Sequence, residues 1–417
     1  CSSDLCNKYK TTSKIISILT SSGYLVIFSI FAVLIVYLVQ IDVSKETLDF
    51  MRQNLFFKPL GLLVPVLLSV TMFAVPQRIP IKILATIGIS VIITYLIATI
   101  ISSSFGYWSV ILFDTSQYIR SLMSNEIDYK LKEFNADFTL LYIISISITL
   151  SIILTYIIIP HKRLHKQVIF ITIFFEKICY LLLGAILLMM PFAVFASITD
   201  AIQTHGISIL SSLGNFVIVS NVPQIIYLLF LIFIIKIATG VNFKFSVLSV
   251  VNLAKVAIPT SSSVACLLTN IENARSFPIK DKYKNKGFIS SLLPFGSTVN
   301  MNGTALFITI ISKIAADIQG IDVGYWQIIP YAVAYSCAAA AVPSASIVLI
   351  TAILNLLGID VLITIKILGL LMAVDWINDR VRTLINVTGD LAAILLSLND
   401  KSPLQLSIRA IKRVQEK

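Results

Sequence analysis

The sequence predicts an all-α protein that crosses a membrane many times, and three observations carry that prediction. Hydrophobic residues make up 57% of the 417 and charged residues only 13%, against about 25% charged in an ordinary soluble domain. Mean hydropathy is +0.92. Apolar runs of about 20 residues, long enough to cross a hydrocarbon core as a helix, recur along the chain. Basic residues collect in alternate loops, the bias that orients such helices.

The apolar runs are read at 15–39, 60–75, 81–102, 140–159, 179–198, 217–237 and 363–398. Between the last two, the apolar stretches are broken by Ser, Thr, Asn, Gly and Pro. The net charge of +11 raises nucleic acid as a partner, but the basic residues do not gather on one face. They fall at Arg78 and Lys82, in the loop His161-Lys-Arg163-Leu-His-Lys166, in the stretch Arg275 to Lys286, and in the tail Arg409 to Lys417. Intervening loops at 42–49 and 114–137 are neutral or acidic. This pattern places both termini and the basic loops in the cytoplasm, and no nucleic-acid partner is expected.

Cys1, Cys6, Cys179, Cys266 and Cys337 are scattered without CxxC or His-paired spacing, so neither a zinc site nor a disulfide framework is indicated. The last three read as small buried hydrophobes. The opening Cys1-Ser-Ser-Asp4 lacks the apolar core of a signal peptide, and a start on cysteine points to further residues upstream. An enzyme would need a nucleophile beside a base. The three histidines, His161, His165 and His205, are expected in or near loops, where they form no triad with the serines. No Gly-rich phosphate cradle is present, which argues against ATP-driven pumping.

The most informative element is the last apolar run, because it carries Asp375, Asp379, Arg382, Asn386 and Asp390. At about 100° per residue these five fall within an arc of about 80°. Charges inside a membrane are costly, so such a stripe faces a cavity and marks a substrate or ion path. Arg380 lies about 140° round from Asp375, off that face, and reads as snorkelling or facing a scaffold. Upstream, Pro259-Thr-Ser-Ser-Ser263 and the stretch around Ala341 to Ser346 interrupt apolar runs. Broken helices at membrane depth are tolerated where they line a cavity. A matched pair of such interruptions points to a transporter site, and both read as re-entrant helical hairpins.

Four motifs, in order, resemble the dicarboxylate/amino acid:cation symporter family, the glutamate transporters: Ser261-Ser-Ser263; Pro294-Phe-Gly-Ser-Thr-Val-Asn-Met-Asn-Gly-Thr304; Ala341-Val-Pro-Ser-Ala-Ser346; and the stripe from Asp375 to Asp390. The resemblance covers roughly residues 240–400. It implies eight transmembrane helices, two re-entrant hairpins and inverted repeats, assembled as a homotrimer working as an elevator. Residues 1–12 would be a cytoplasmic segment. Residues 13–240 would hold transmembrane helices 1–6, the trimerisation scaffold with part of the transport domain. Residues 241–400 would be the transport core, with a hairpin at 244–285, a helix at 286–320, a hairpin at 328–358 and the last helix at 361–399. Residues 401–417 would be a basic tail. Low glycine, abundant Ile and Lys and no long extracellular insertion suggest a bacterial inner membrane.

The resemblance also implies a division of roles. Asp379 would hold the substrate ammonium. Arg382, whose planar fork suits a carboxylate, would hold the side-chain carboxylate near Thr304. Thr383 and Asn386 would hold the amino-acid end, with Ser262 and Val342 contributing from the hairpin tips. L-glutamate and L-aspartate fit that set. A salt bridge from Arg382 to Asp379 or Asp375 is the alternative reading. Gly296, Asn300, Asn386 and Asp390 match a Na⁺ site of hard oxygen ligands, and backbone around Thr298 and Ser336 a second, in which the family threonine is Ala339. At a third site the family's aspartate is Asn302, and the partner helix aligns Ile87 and Val91 where oxygen ligands are expected. This predicts a weakened third site, with lower stoichiometry or H⁺ replacing one Na⁺. The second hairpin tip, Gly-rich in relatives, reads Ala338 to Ala341, which implies a stiffer gate or plain small-residue packing. Rival readings are a neutral amino acid or C4-dicarboxylate symporter of the same fold, a channel-like leak, and a protein that binds without transporting.

Overall fold

The computed structural model describes residues 42–59, 89–114, 162–206, 209–279, 288–337 and 345–398, with isolated positions at 31–73 and 146–153. The expected runs at 15–39, 60–75 and 140–159 lie almost wholly outside the described residues, as do 338–344 and the tail beyond 398. All regular structure among the described residues is helical. We number the elements α1 (Lys45–Asp49, continuing into a wider turn over Phe50–Phe57), α2 (Ile89–Phe113), α3 (Lys162–Leu187), α4 (Met190–His205), α5 (Ile209–Thr239) and α6 (Phe243–Thr260). They continue with α7 (Leu267–Ser276), α8 (Phe288–Val299), α9 (Asn302–Gln319), α10 (Tyr325–Ser336), α11 (Ala345–Leu356) and α12 (Val361–Leu398).

Five segments of the described residues are long and apolar enough to cross a membrane: Ser90–Phe113, Leu213–Thr239, Phe243–Thr260, Leu292–Gln319 (interrupted at 300–301) and Ile363–Leu398. Their burial separates them. Of an 18-residue apolar stretch in each, 94% of the residues are buried in the α8–α9 segment and 89% in α12, against 28% in α6. The helices around the centre expose large apolar side chains, Phe170 and Leu181 on α3, Leu229 and Phe233 on α5, and Leu248 on α6. An apolar exterior around a polar-bearing centre is the arrangement a hydrocarbon solvent selects. This is a multi-pass membrane protein.

Local chemistry explains where the helices stop. Asn242 caps α6, its side chain accepting from Lys244 N at 3.1 Å. The helix ends one residue after Pro259, where Ser261 adopts the left-handed region at φ 46°. That conformation is unfavourable for a residue with a Cβ, and it turns the chain toward α7. Gly320, at φ 74°, closes α9 in the same region at no steric cost.

Five expectations differ from the structure. The run at 179–198 is not one span, because the chain turns at residues 188–189 between α3 and α4, where Pro191 suits the first turn of a new helix but not the middle of an old one. The basic stretch 162–166, with His165, is the first part of α3 rather than a loop, and 45–49 within the acidic loop is helical. The run at 81–102 gives way to a helix reaching Phe113. The helix expected over 286–320 is two, α8 and α9, separated at Asn300 and Met301. Asn and Gly are poor helix formers, and the Asn300 side chain binds Asp390 at this point instead of facing solvent.

Candidate functional site

The polar stripe of α12 runs through the centre of the bundle. Asp375, Asp379, Arg382, Asn386 and Asp390 are all buried. They face α9 and the break that precedes it, and two close approaches explain how this is possible. Gly303 packs on the backbone of Arg382 so tightly that a Cβ there would lie 2.9 Å from the Arg382 Cα. A Cβ on Gly296 would lie 2.9 Å from an Asp390 carboxylate oxygen and also meet the Tyr95 hydroxyl. Glycine therefore lets both halves of the broken helix lie against α12.

At one end of the stripe Arg382 holds two carboxylates. Its Nη2 donates to Asp375 Oδ1 at 2.8 Å and to Asp379 Oδ1 at 2.7 Å, and the guanidinium lies 4.4 Å from the centre of the Phe307 ring. The pairing left open as an alternative is thus the one present. Its Nη1, and Oδ2 of Asp375, have no hydrogen-bond partner among the described residues. Removing the arginine would leave two buried carboxylates uncompensated, at a cost of about 3–5 kcal/mol. Arg380 takes no part. It donates to the Trp376 carbonyl and stacks on that ring with 5.1 Å to its centre.

In the middle, Asn386 joins α12 to the start of α9. Its Oδ1 accepts from Gly303 N at 2.8 Å and Thr304 N at 3.4 Å, and its Nδ2 donates to Thr304 Oγ1 at 3.3 Å. These are N–H groups that the break in the helix leaves without carbonyl partners of their own. Thr383 is buried on the same helix. One residue past Asn386, the Val387 carbonyl accepts from Asn270 Nδ2 at 2.9 Å, which ties α7 to α12. Ser262, at the turn between α6 and α7, is fully buried; its Oγ accepts from Ala265 N at 3.4 Å. Val342, Ala339 and Ala338 to Ala341 lie outside the described residues.

At the other end Asn300 Nδ2 donates to Asp390 Oδ1 at 3.0 Å, and Asn300 Oδ1 has no partner among the described residues. The Gly296 carbonyl accepts from Asn300 N at 2.8 Å. A carboxylate, an unpaired amide oxygen and a backbone carbonyl at a helix break form a donor set that fits a hard monovalent cation. Thr298 lies in the last turn of α8 and Ser336 at the end of α10, its hydroxyl donating to Val333 O. Cys337 donates to Val299 O at 3.3 Å, which brings these two helix ends together.

The surroundings of Asn302 require a further correction. Ile87 lies outside the described residues, and the groups that meet Asn302 come from farther along α2. Thr99 Oγ1 donates to Asn302 Oδ1 at 3.2 Å, and Ser102 Oγ donates to its carbonyl. Oxygen groups therefore face this position after all. Its amide nitrogen has no hydrogen-bond partner among the described residues and sits against Gly389. Sequence reading also missed Asn378, whose partners come from α5: Ser220 Oγ at 3.0 Å and Asn221 Nδ2 at 2.6 Å.

Fold and site together define a helical membrane protein with a charged polar centre built on a broken helix and its neighbours. Residues 24–398 match the family model described as the sodium:dicarboxylate symporter family. The chain belongs to that family. It is 31% identical over 232 residues to a proton/sodium-glutamate symport protein of Bacillus subtilis (strain 168), covering 54% of this chain and 52% of that one. Over 102 residues it is 39% identical to an excitatory amino acid transporter of Onchocerca volvulus, 24% of this chain and 20% of the relative. Over 137 residues it is 34% identical to human excitatory amino acid transporter 3, 32% and 25% respectively. These matches span about half the length of the bacterial relative and a quarter or less of the animal ones.

Proposed function

We propose that this protein is a secondary active symporter that imports an acidic amino acid, L-glutamate or L-aspartate, together with Na⁺. The observation that carries this reading is the buried Asp375–Arg382–Asp379 group with one guanidinium nitrogen left over. Without substrate, the arginine partners both aspartates and offsets one of their two charges. When an acidic amino acid enters, its ammonium takes Asp379 and its side-chain carboxylate takes the fork of Arg382. Thr383, Asn386 and Thr304 hold the amino-acid end, with Ser262 and Val342 closing from the hairpin tips.

Charge makes cation coupling a physical need. Asp375, Asp379 and Asp390 against Arg382 leave a formal −2, and an acidic amino acid adds one more negative charge. A buried region cannot carry that sum uncompensated. One Na⁺ is assigned to Gly296, Asn300, Asn386 and Asp390, and a second to backbone around Thr298 and Ser336. Asn302 in place of a carboxylate weakens a third site, so fewer Na⁺ move per substrate, or H⁺ replaces one Na⁺. The working unit is a homotrimer in a bacterial inner membrane with cytoplasmic termini, in which the transport core (241–400) moves as an elevator against a scaffold.

The test is uptake of labelled L-glutamate into proteoliposomes under an imposed Na⁺ gradient, competed with aspartate, serine and succinate. Concentrative uptake that glutamate and aspartate compete for, and that stops when the gradient collapses, is expected. Uptake blocked by serine alone, or by succinate, would replace the substrate assignment. Flux that ignores the gradient would mark a leak, and counterflow without net uptake would separate a carrier from a binding-only protein. A full, family-like dependence on Na⁺ concentration would sink the weakened third site.

A further inference from the structure

Three buried polar atoms along one strip of α12 have no partner among the described residues: Asp375 Oδ2, Asn378 Nδ2 and Arg382 Nη1. Positions three and four residues apart are neighbours on a helix surface, so Asn378 stands between the other two. The 2.8 Å bond from Arg382 to Asp375 spans this strip. Asn378 is fully buried, and its orientation is determined by α5. Asn221 Nδ2 donates to the Val217 carbonyl at 2.7 Å, which identifies it as the nitrogen, and the same Nδ2 donates to Asn378 at 2.6 Å. Asn378 must therefore turn its oxygen to α5, where Ser220 Oγ also donates to it at 3.0 Å. Its amide N–H groups are turned away from those two donors and have no partner among the described residues.

A buried donor without an acceptor destabilises a fold, and here the nearest acceptor by helix position is the idle oxygen of Asp375. We propose that Asn378 is a positioning residue that takes over Asp375 when Arg382 leaves it. Resting on the reading that Arg382 binds the substrate's side-chain carboxylate, the exchange has two states. In the first, Arg382 bridges both aspartates. In the second, Arg382 turns to the substrate carboxylate and the Asn378 amide, held by Ser220 and Asn221, donates to Asp375. The aspartate is thus never both charged and unpartnered, which is the costly condition for a buried ion. Asn378 accordingly favours ligands that draw Arg382 away, and is indifferent to ligands that do not.

The test is equilibrium binding of L-aspartate and L-serine in saturating Na⁺ to the purified full chain, its Asn378→Leu and Asn378→Ala variants, and the same pair made on Asp375→Asn. Loss of a hydrogen bond to a charged group predicts L-aspartate affinity lower by about tenfold or more in both variants, with L-serine changed by less than about twofold. On the Asp375→Asn background, replacing Asn378 should add nothing. The alanine variant separates a lost amide from crowding by leucine. Unchanged L-aspartate affinity overturns the proposal. So does equal weakening of both ligands, or an effect that survives undiminished without the Asp375 charge. If the unaltered chain binds L-serine and no L-aspartate, the acidic-substrate reading fails, and this inference fails with it.

Discussion

Asn300 and Asn302 stand two residues apart at the same helix break, yet they meet opposite chemistry. Asn300 faces a carboxylate, Asp390, through a 3.0 Å bond and keeps an unpaired oxygen beside it. Asn302 faces hydroxyls, Thr99 and Ser102, and has no carboxylate hydrogen-bonded to it among the described residues. Both positions offer oxygen atoms, so geometry alone does not separate them. Charge does. Desolvating a cation is offset far better by an ionised carboxylate than by neutral dipoles, and among the described residues the Asn300 side supplies one and the Asn302 side does not.

That contrast can be broken at its stronger end first. Asp390→Asn keeps the shape and removes the charge. Na⁺-driven uptake is expected to fall by about 100-fold or more, the scale of a lost charge-assisted contact in a buried site, read as initial rates against Na⁺ concentration. Gly296→Ala is next. The new Cβ would press on the Tyr95 hydroxyl and on Asp390, and overpacking of that kind costs about 1–3 kcal/mol. Apparent Na⁺ affinity should weaken by about tenfold while the protein still folds, as thermal unfolding in detergent would show. The smallest effect, and the sharpest, is a gain. Asn302→Asp places a carboxylate opposite Thr99 and should raise apparent Na⁺ affinity by about threefold to tenfold and steepen the Na⁺ dependence of uptake. An unchanged or shallower Na⁺ curve would mean that charge is not what separates the two positions.

The polar stripe of α12 was readable from sequence because a helix repeats every 3.6 residues, and Asp375, Asp379 and Arg382 then had to share one face. The same regularity exposed the pairing of Arg382 with its own neighbours as an alternative, and that pairing is present. Contacts between distant elements were not readable. Asn378 looked like an ordinary residue beside Asp379, because its partners Ser220 and Asn221 lie 158 and 157 positions earlier. Thr99 and Ser102 were missed for the same reason, as their bonds to Asn302 reach across 203 and 200 positions. The break at Pro259–Ser263 was legible in place, and α6 ends there; others were not. The turn at 188–189 lies inside a run that hydropathy reads as continuous, and the gap at Asn300–Met301 inside a helix expected over 286–320.

The two ends of the α12 stripe are separated by a fixed length. Asp379 and Asp390 belong to one uninterrupted helix, Val361–Leu398, and at 1.5 Å per residue they stand about 16 Å apart along its axis. Over that span an ion held at Asp390 cannot touch a substrate held at Asp379, and its direct Coulomb pull is small beside a contact pair. In the proposed assignment Asn386, between the two on the same helix, serves both ion and substrate, so news of an arriving ion passes through Asn386 and through displacement of what it holds. The part able to carry it is the junction of α8 and α9, which grips Asp390 through Asn300 at one end and Asn386 through Gly303 and Thr304 nearer the other. In this reading α12 is the ruler, and the broken helix beside it is the lever.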